Sequence, residues 1–131
     1  MNTTITATAK YIPEKILSNF DLEKIVDTTD DWIKSRTGIT KRHIVQEGEA
    51  TSDMCAKIAK KLLNNSGKAP EEIDIIIIAT STPDHLVVST AAIVQDKIGA
   101  INAWGYDLTA ACTGFIFALE TGARLIESGK Y

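Results

Sequence analysis

Residues 73–82 read IDIIIIATST, with four consecutive isoleucines, Ile75 to Ile78, at their centre. An unbroken β-branched run cannot alternate between core and solvent, so it needs cover on both faces of an extended segment. Such a strand belongs to a parallel sheet with helices on each side. The run therefore sets the expectation of an α/β layered fold.

The flanking pattern supplies those helices. Thr51 or Ser52 opens an amphipathic helix with Met54, Ile58, Ala59, Leu62 and Leu63 on one face, closed by Gly67. After a polar loop holding Pro83, a further helix is expected from about Ser89 to Ile98, stopped by Gly99. NAWGYDLTA then reads as a short strand, and a last helix runs from Cys112 to about Ser128. Phe115, Leu119 and Ile126 share one side of that helix, while Ala118, Gly122 and Ala123 allow close backbone approach. This is the profile of a helix buried near the middle of a structure, with Cys112 deep beneath a narrow opening.

Nearer the start, TTITATAKYIP alternates Ile5, Ala7, Ala9 and Tyr11 with polar residues, as a half-buried strand ended by Pro13 would. Ser18 or Asn19 can cap a short helix from about Asp21 to Val26. Thr28 or Thr29 can cap another, with Asp30 and Asp31 in its first turn and Gly38 at its end. GITKRHIV follows as a short strand or loop edge.

With 131 residues and 44% hydrophobic content, the chain is long enough for one domain with a core. A net charge of −3 gives no reason to expect a nucleic-acid or membrane surface. No apolar run approaches a membrane span, and the N-terminus lacks the pattern of a secretory signal. Cys55 and Cys112 have no metal-ligand spacing, which points to a reduced, cytoplasmic setting. Dinucleotide, P-loop and zinc motifs are absent from the sequence.

Two places carry chemistry. In DLTAACTGF, Cys112 stands among small residues where a strand hands over to a helix. A free cysteine is commonly just a small buried hydrophobe. At a helix N-terminus, however, its thiolate is stabilised, and small neighbours admit a substrate. Cys55, beside Ala56 and Ile58, reads as core; His43 reads as a solvated edge and His85 as a loop residue. In DTTDDWIKSRTGI, Trp32 and Arg36 fall four apart on one helix face. An indole and a guanidinium together can hold an aromatic base and its phosphates, although a tryptophan that packs its ring and exposes its N–H is the plainer account from these residues alone.

Three stretches, YIPEKILSNFDLEKIVDTTDDWIKSRTGITKRHI, IDIIIIATSTPD and YDLTAACTGFIFAL, occur in the order and spacing of one family. In them the chain resembles the N-terminal part of the β-ketoacyl-acyl-carrier-protein synthase III family, of the thiolase-like superfamily. The resemblance implies the N-terminal half of a thiolase-like layered fold over residues 1–131, with a mixed sheet, helices on both faces and a buried nucleophile helix. It implies an acyltransferase of fatty-acid synthesis that takes acyl from acyl-CoA onto Cys112 and condenses it with malonyl-acyl-carrier protein, losing carbon dioxide. Trp32 would stack on the CoA adenine, with Thr28 and Arg36 contacting the nucleotide. Val87 would reach into a partner's acyl pocket in a homodimer, and no metal or redox cofactor is implied.

The sequence departs from that family in two ways. The family is more than twice as long, and its catalytic His and Asn lie in the half this chain lacks. A fragment inactive alone is therefore expected, with a CoA-binding and dimerisation module, or one polypeptide of a split synthase, as the alternatives. The loop also reads TPDHLVVSTA, with Val88 where proline is common in the family. Thiolases and hydroxymethylglutaryl-type synthases share the cysteine chemistry but not the DxWI…RTGI stretch.

Overall fold

The computed structural model describes residues 3–131. Two compact units arise: residues up to Tyr11 together with Ala50–Tyr131, and Ile12–Glu49.

In the smaller unit, β1 (Lys15–Ser18) pairs antiparallel with β2 (Lys41–Ile44), Ile16 lying opposite His43. Between them come α1 (Asn19–Leu22) and α2 (Asp30–Thr37). Ser18 caps α1 through a reciprocal box: its hydroxyl accepts from the Asp21 N–H, and its own N–H donates to Asp21 Oδ2 at 3.0 Å. The helix is shorter than the sequence suggested, and Ile25 and Val26 continue only as turns on Leu22. Thr29, not Thr28, caps α2 by accepting from the Trp32 N–H, and Gly38 closes it in the left-handed conformation.

The larger unit holds α3 (Thr51–Ser66), β3 (Ile75–Ala79), α4 (Thr90–Ile98), β4 (Trp104–Leu108) and α5 (Gly114–Glu127). β3 and β4 pair in parallel, with Ile75 opposite Trp104 and Ala79 opposite Leu108. Ile76 and Ile78 pack on the cluster of Ala56, Val94 and Ile98 from α3 and α4. On the other face, Gly114 and Gly122 of α5 approach Ala79 and Ile77. Helices thus lie on both faces of the isoleucine run, although each isoleucine stays partly exposed. Gly105 permits the closest contact, since a Cβ there would lie 2.5 Å from the Ile76 carbonyl oxygen and 3.0 Å from the Ala91 Cβ.

Three expectations need correction. Residues 3–11 join no ladder, although Ala7, Ala9 and Tyr11 are half-buried in the alternating pattern of a strand. Their carbonyls meet side chains of α3 instead: Asn65 donates to Thr8 O and Lys61 to Lys10 O, both at 3.3 Å. A strand needs a neighbouring backbone edge, and none lies beside this segment among the described residues. The sheet is not mixed either, because the antiparallel and parallel pairs stay separate.

The third correction concerns α5, whose only buried residue is Gly114. Phe115 is 66% exposed, and Ile116, Phe117 and Leu119 are exposed with it. One side of the helix rests on β3, and nothing among the described residues covers the rest. An apolar cavity of about 600 Å³ lies between α3 and α5, lined by Ile58, Leu62, Phe115 and Leu119 and by successive residues of β3.

Candidate active site

Parallel α/β sheets bind ligands beyond the carboxyl ends of their strands, and Cys112 lies there. The ends of β3 and β4 are tied together: Thr80 N donates to Leu108 O at 3.2 Å, and the Thr109 hydroxyl to Thr80 O at 3.1 Å. The chain then turns through Ala111, whose φ of 46° is the one left-handed value for a non-glycine among the described residues. That conformation costs about 1–3 kcal/mol and collects at functional turns. A 3-10 turn, Ala111–Thr113, carries Cys112 and leads directly into α5. The Thr113 hydroxyl braces it by donating to Ala110 O at 2.8 Å.

Cys112 is free and exposed, not deep beneath an opening as its helix pattern suggested. The cause is the uncovered side of α5. No side chain caps the N-terminus of α5, whereas Ser18, Thr29 and Ser89 cap α1, α2 and α4. The preceding 3-10 turn already takes the Gly114 N–H on Ala111 O, so what the start of this 14-residue helix offers an anion near the thiol is the positive end of its dipole. Cys55 contrasts with it: burial pushes its thiol up, and the nearby Asp84 and Asp107 carboxylates add to the effect. It is also free, packs on the core and is inert by that environment.

In the smaller unit, α2 brings Trp32 and Arg36 together, with the guanidinium 5.6 Å from the indole ring centre. Trp32 is 57% exposed, so its ring is not spent on packing. Thr28 lines a shallow hollow of about 250 Å³ with Asp27, Thr29 and Trp32. Asp27 gives this hollow a carboxylate, and the Arg36 guanidinium beside the indole is the cation nearest the ring. Val87 stands on the exposed loop between β3 and α4. His43 is at an exposed strand edge, its Nδ1 2.6 Å from Pro13 O, and His85 is exposed in the loop.

The comparisons with known proteins bear on this arrangement. No protein-family model matches the chain. It is 58% identical over 132 aligned positions to β-ketoacyl-[acyl-carrier-protein] synthase III of Chlorobium phaeovibrioides, covering 100% of this chain and 40% of the relative. It is 60% identical over 127 positions to the synthase III of Lactococcus lactis, covering 97% and 39%. The solved synthase III of Aquifex aeolicus superposes with a TM-score of 0.91 at 46% identity, covering 95% of this chain and 40% of that one. The chain matches the N-terminal part of synthase III.

Its fold is the thiolase-like one of that synthase III part. The chain spans about 40% of the length of the synthase III relatives it matches. A priming β-ketosynthase of the R1128 polyketide pathway also superposes, with a TM-score of 0.91 at 34% identity and coverage of 95% and 37%. Sequence reasoning missed the left-handed Ala111, since small residues in a row do not announce positive φ. It also missed two carboxylates that hold helix ends, Asp84 and Asp107. An acid closing the otherwise uncharged strand WGYDL was the available signal for the latter.

Proposed function

We propose that this chain is the nucleophile-bearing and CoA-facing part of an initiating condensing enzyme of fatty-acid synthesis. The observation that carries the reading is an exposed Cys112 on a braced turn at the uncapped start of α5. The synthase III relatives support it.

In this reading the Cys112 thiolate attacks the thioester carbonyl of acyl-CoA. The tetrahedral oxyanion collapses, the CoA thiolate leaves and takes up a proton, and the acyl group stays on Sγ. Backbone N–H groups at the helix start are suited to meet the oxyanion. Malonyl-acyl-carrier protein then loses carbon dioxide, and the carbanion formed attacks the acyl carbonyl. The Cys112 thiolate departs, leaving 3-oxoacyl-acyl-carrier protein. Trp32, Thr28 and Arg36 hold the nucleotide of CoA, and Val87 faces the acyl chain.

Condensation needs donors for the charge that develops on the malonyl thioester oxygen, and losing one such donor costs about 10²–10³ in rate. His43 and His85 match neither of the family's catalytic positions, so these residues alone do not condense. The unpaired edge of β3 and the uncovered side of α5 also favour a part completed by further polypeptide, whether in the same chain or as half of a split synthase. A homodimer and a cytoplasmic location belong to the same proposal. Among the described residues, no helix is long and apolar enough to cross a membrane, and no group of three or more His, Cys, Asp or Glu is placed to hold a metal.

The test is mass spectrometry after incubation with acetyl-CoA. Acetyl mass on the Cys112 peptide, absent in Cys112→Ala, is the expected result in the complete enzyme. Condensation retained by Cys112→Ala would overturn the assignment. An unmodified thiol together with intact CoA binding would establish the binding-module reading instead.

A further inference from the structure

We propose that Asn19 is a positioning residue for the CoA nucleotide: its buried carboxamide grips α2 at both ends and so sets where Trp32 and Arg36 stand. The inference rests on the reading of those two residues as the nucleotide seat.

Little else fixes α2. Among the described residues of this helix only Ile33 is buried. Hydrophobic burial has no direction, so one apolar contact holds a helix near its neighbour but leaves it free to turn about its axis. Hydrogen bonds are directional, and α2 receives them from Asn19 at both ends. One N–H of the Asn19 amide goes to Asp30 Oδ1, on the first residue of the helix, at 2.8 Å. The other goes to Ile39 O, just past the closing Gly38, also at 2.8 Å. Ile39 moves with the end of α2, since the Thr37 hydroxyl accepts from the Ile39 N–H at 3.1 Å and donates to Ile33 O at 2.8 Å.

The grip is itself anchored. Asn19 follows β1 directly and is fully buried. Its backbone N–H donates to Thr40 O at 3.2 Å, and its Oδ1 accepts from Arg42 of β2 at 2.8 Å. Arg42 also reaches Leu17 O of β1 at 3.4 Å. The β1–β2 pair thus dictates the place of the amide, and the amide that of α2. Glu23 Oε1 accepts from the Asp30 N–H at 2.6 Å as well, but this contact is exposed and competes with water. Trp32 and Arg36 lie between the two gripped ends. A binding group serves only while held within about 0.5 Å and 10–20° of its productive geometry, so turning of a released α2 carries ring and guanidinium off the nucleotide.

The experiment uses the full-length protein carrying this segment and compares KM for acetyl-CoA and for S-acetylpantetheine, which has the same thioester but no nucleotide. Asn19→Leu keeps the volume and adds no charge, while removing the bonds to Asp30, Ile39 and Arg42. Asp30→Ala frees the first end of α2 alone, and serves if Asn19→Leu does not fold. It also takes away a negative charge, which by itself favours the CoA phosphates, so weaker CoA binding in this variant has no electrostatic source. In both, KM for acetyl-CoA is expected to rise about tenfold, the order of one lost stacking contact, with kcat and the KM for acetylpantetheine unchanged. A KM that rises equally for both substrates would overturn the proposal, because general disruption of the fold does not distinguish them. Acetyl-CoA unaffected in either folded variant, while Trp32→Ala weakens it, would overturn the positioning role and leave the nucleotide seat standing. Acetyl-CoA unaffected by Trp32→Ala would remove that seat, and the proposal with it.

Discussion

The buried carboxamide of Asn19 donates to Asp30 Oδ1 at 2.8 Å and so joins the start of α1 to the start of the helix that carries Trp32 and Arg36. The same amide group donates to Ile39 O at 2.8 Å, and Asn19 Oδ1 accepts from Arg42 at 2.8 Å. Both N–H donors of this side chain and one of the two acceptor positions on its oxygen are thus used by protein groups. Asn19→Ala leaves a carbonyl and a guanidinium without their partner and should destabilise residues 12–49 by about 2–3 kcal/mol. Urea denaturation followed by Trp32 fluorescence, with Trp104 replaced by Phe, measures this. An unchanged midpoint would refute it.

Acid should loosen the same unit. The Ser18 hydroxyl and N–H and the Lys24 ammonium hold the Asp21 carboxyl at about 2, against an ordinary value of 3.8. Asp30 is lowered too, chiefly by Lys34 and then by Asn19. A folded-state pKa below the unfolded one gives stability that is fully present above pH 4 and disappears as the pH falls towards 2. Denaturation midpoints between pH 5 and pH 2 should therefore decline, with a shallower decline in Asp21→Asn. Equal slopes for the two proteins would exclude Asp21 as the cause.

Removing the indole tests the nucleotide seat. Trp32→Ala should weaken CoA by roughly 1–2 kcal/mol, and in the complete enzyme raise KM for acyl-CoA more than it lowers kcat. That split follows because adenine is remote from the reacting bond. Calorimetric titration of CoA onto the wild type and variant provides a direct measurement, and equal affinities would show that Trp32 only shapes the surface.

At Gly105 the consequence is steric. An added methyl meets the Ile76 carbonyl oxygen at 2.5 Å, a backbone atom that cannot swing aside. Gly105→Ala should cost about 1–3 kcal/mol by forcing β4 away from β3 or α4. The urea midpoint of the larger unit reads this, and wild-type stability in the variant would mean that the α4–β4 contact relaxes freely.

The uncovered side of α5 should make the 131-residue chain associate. Phe115, Ile116 and Phe117 form an apolar patch continuous in sequence, and large patches of that kind rarely stay in water unpartnered. Light scattering should show growth in mass with concentration, reduced by Phe117→Gln and by co-expression with the remaining part of a synthase III. A monomer at millimolar concentration would count against it.

Much was already decided in the chemistry of short stretches. Four isoleucines without a polar interruption admit only a strand covered on both faces, and Ser18, Ser89 and Gly99 mark helix ends through local hydrogen bonds and backbone freedom. Trp32 and Arg36, one turn apart, meet because helical spacing places them together. The synthase III likeness was legible in the same way, in residues and their order. Tertiary structure decided the rest. Residues 3–11 have the alternation of a strand, but pairing requires a second backbone edge, which no local pattern supplies. The apolar sequence of α5 predicted burial, yet burial depends on what lies opposite, and one side of that helix faces open space. Ala111 is left-handed where the five residues 109–113 turn the chain from the end of β4 into the start of α5. Asp107 looked like one more acid in a strand until the fold set the first turn of α4 against it, since a carboxylate becomes a helix cap only when backbone N–H groups from elsewhere in the chain are brought within its reach.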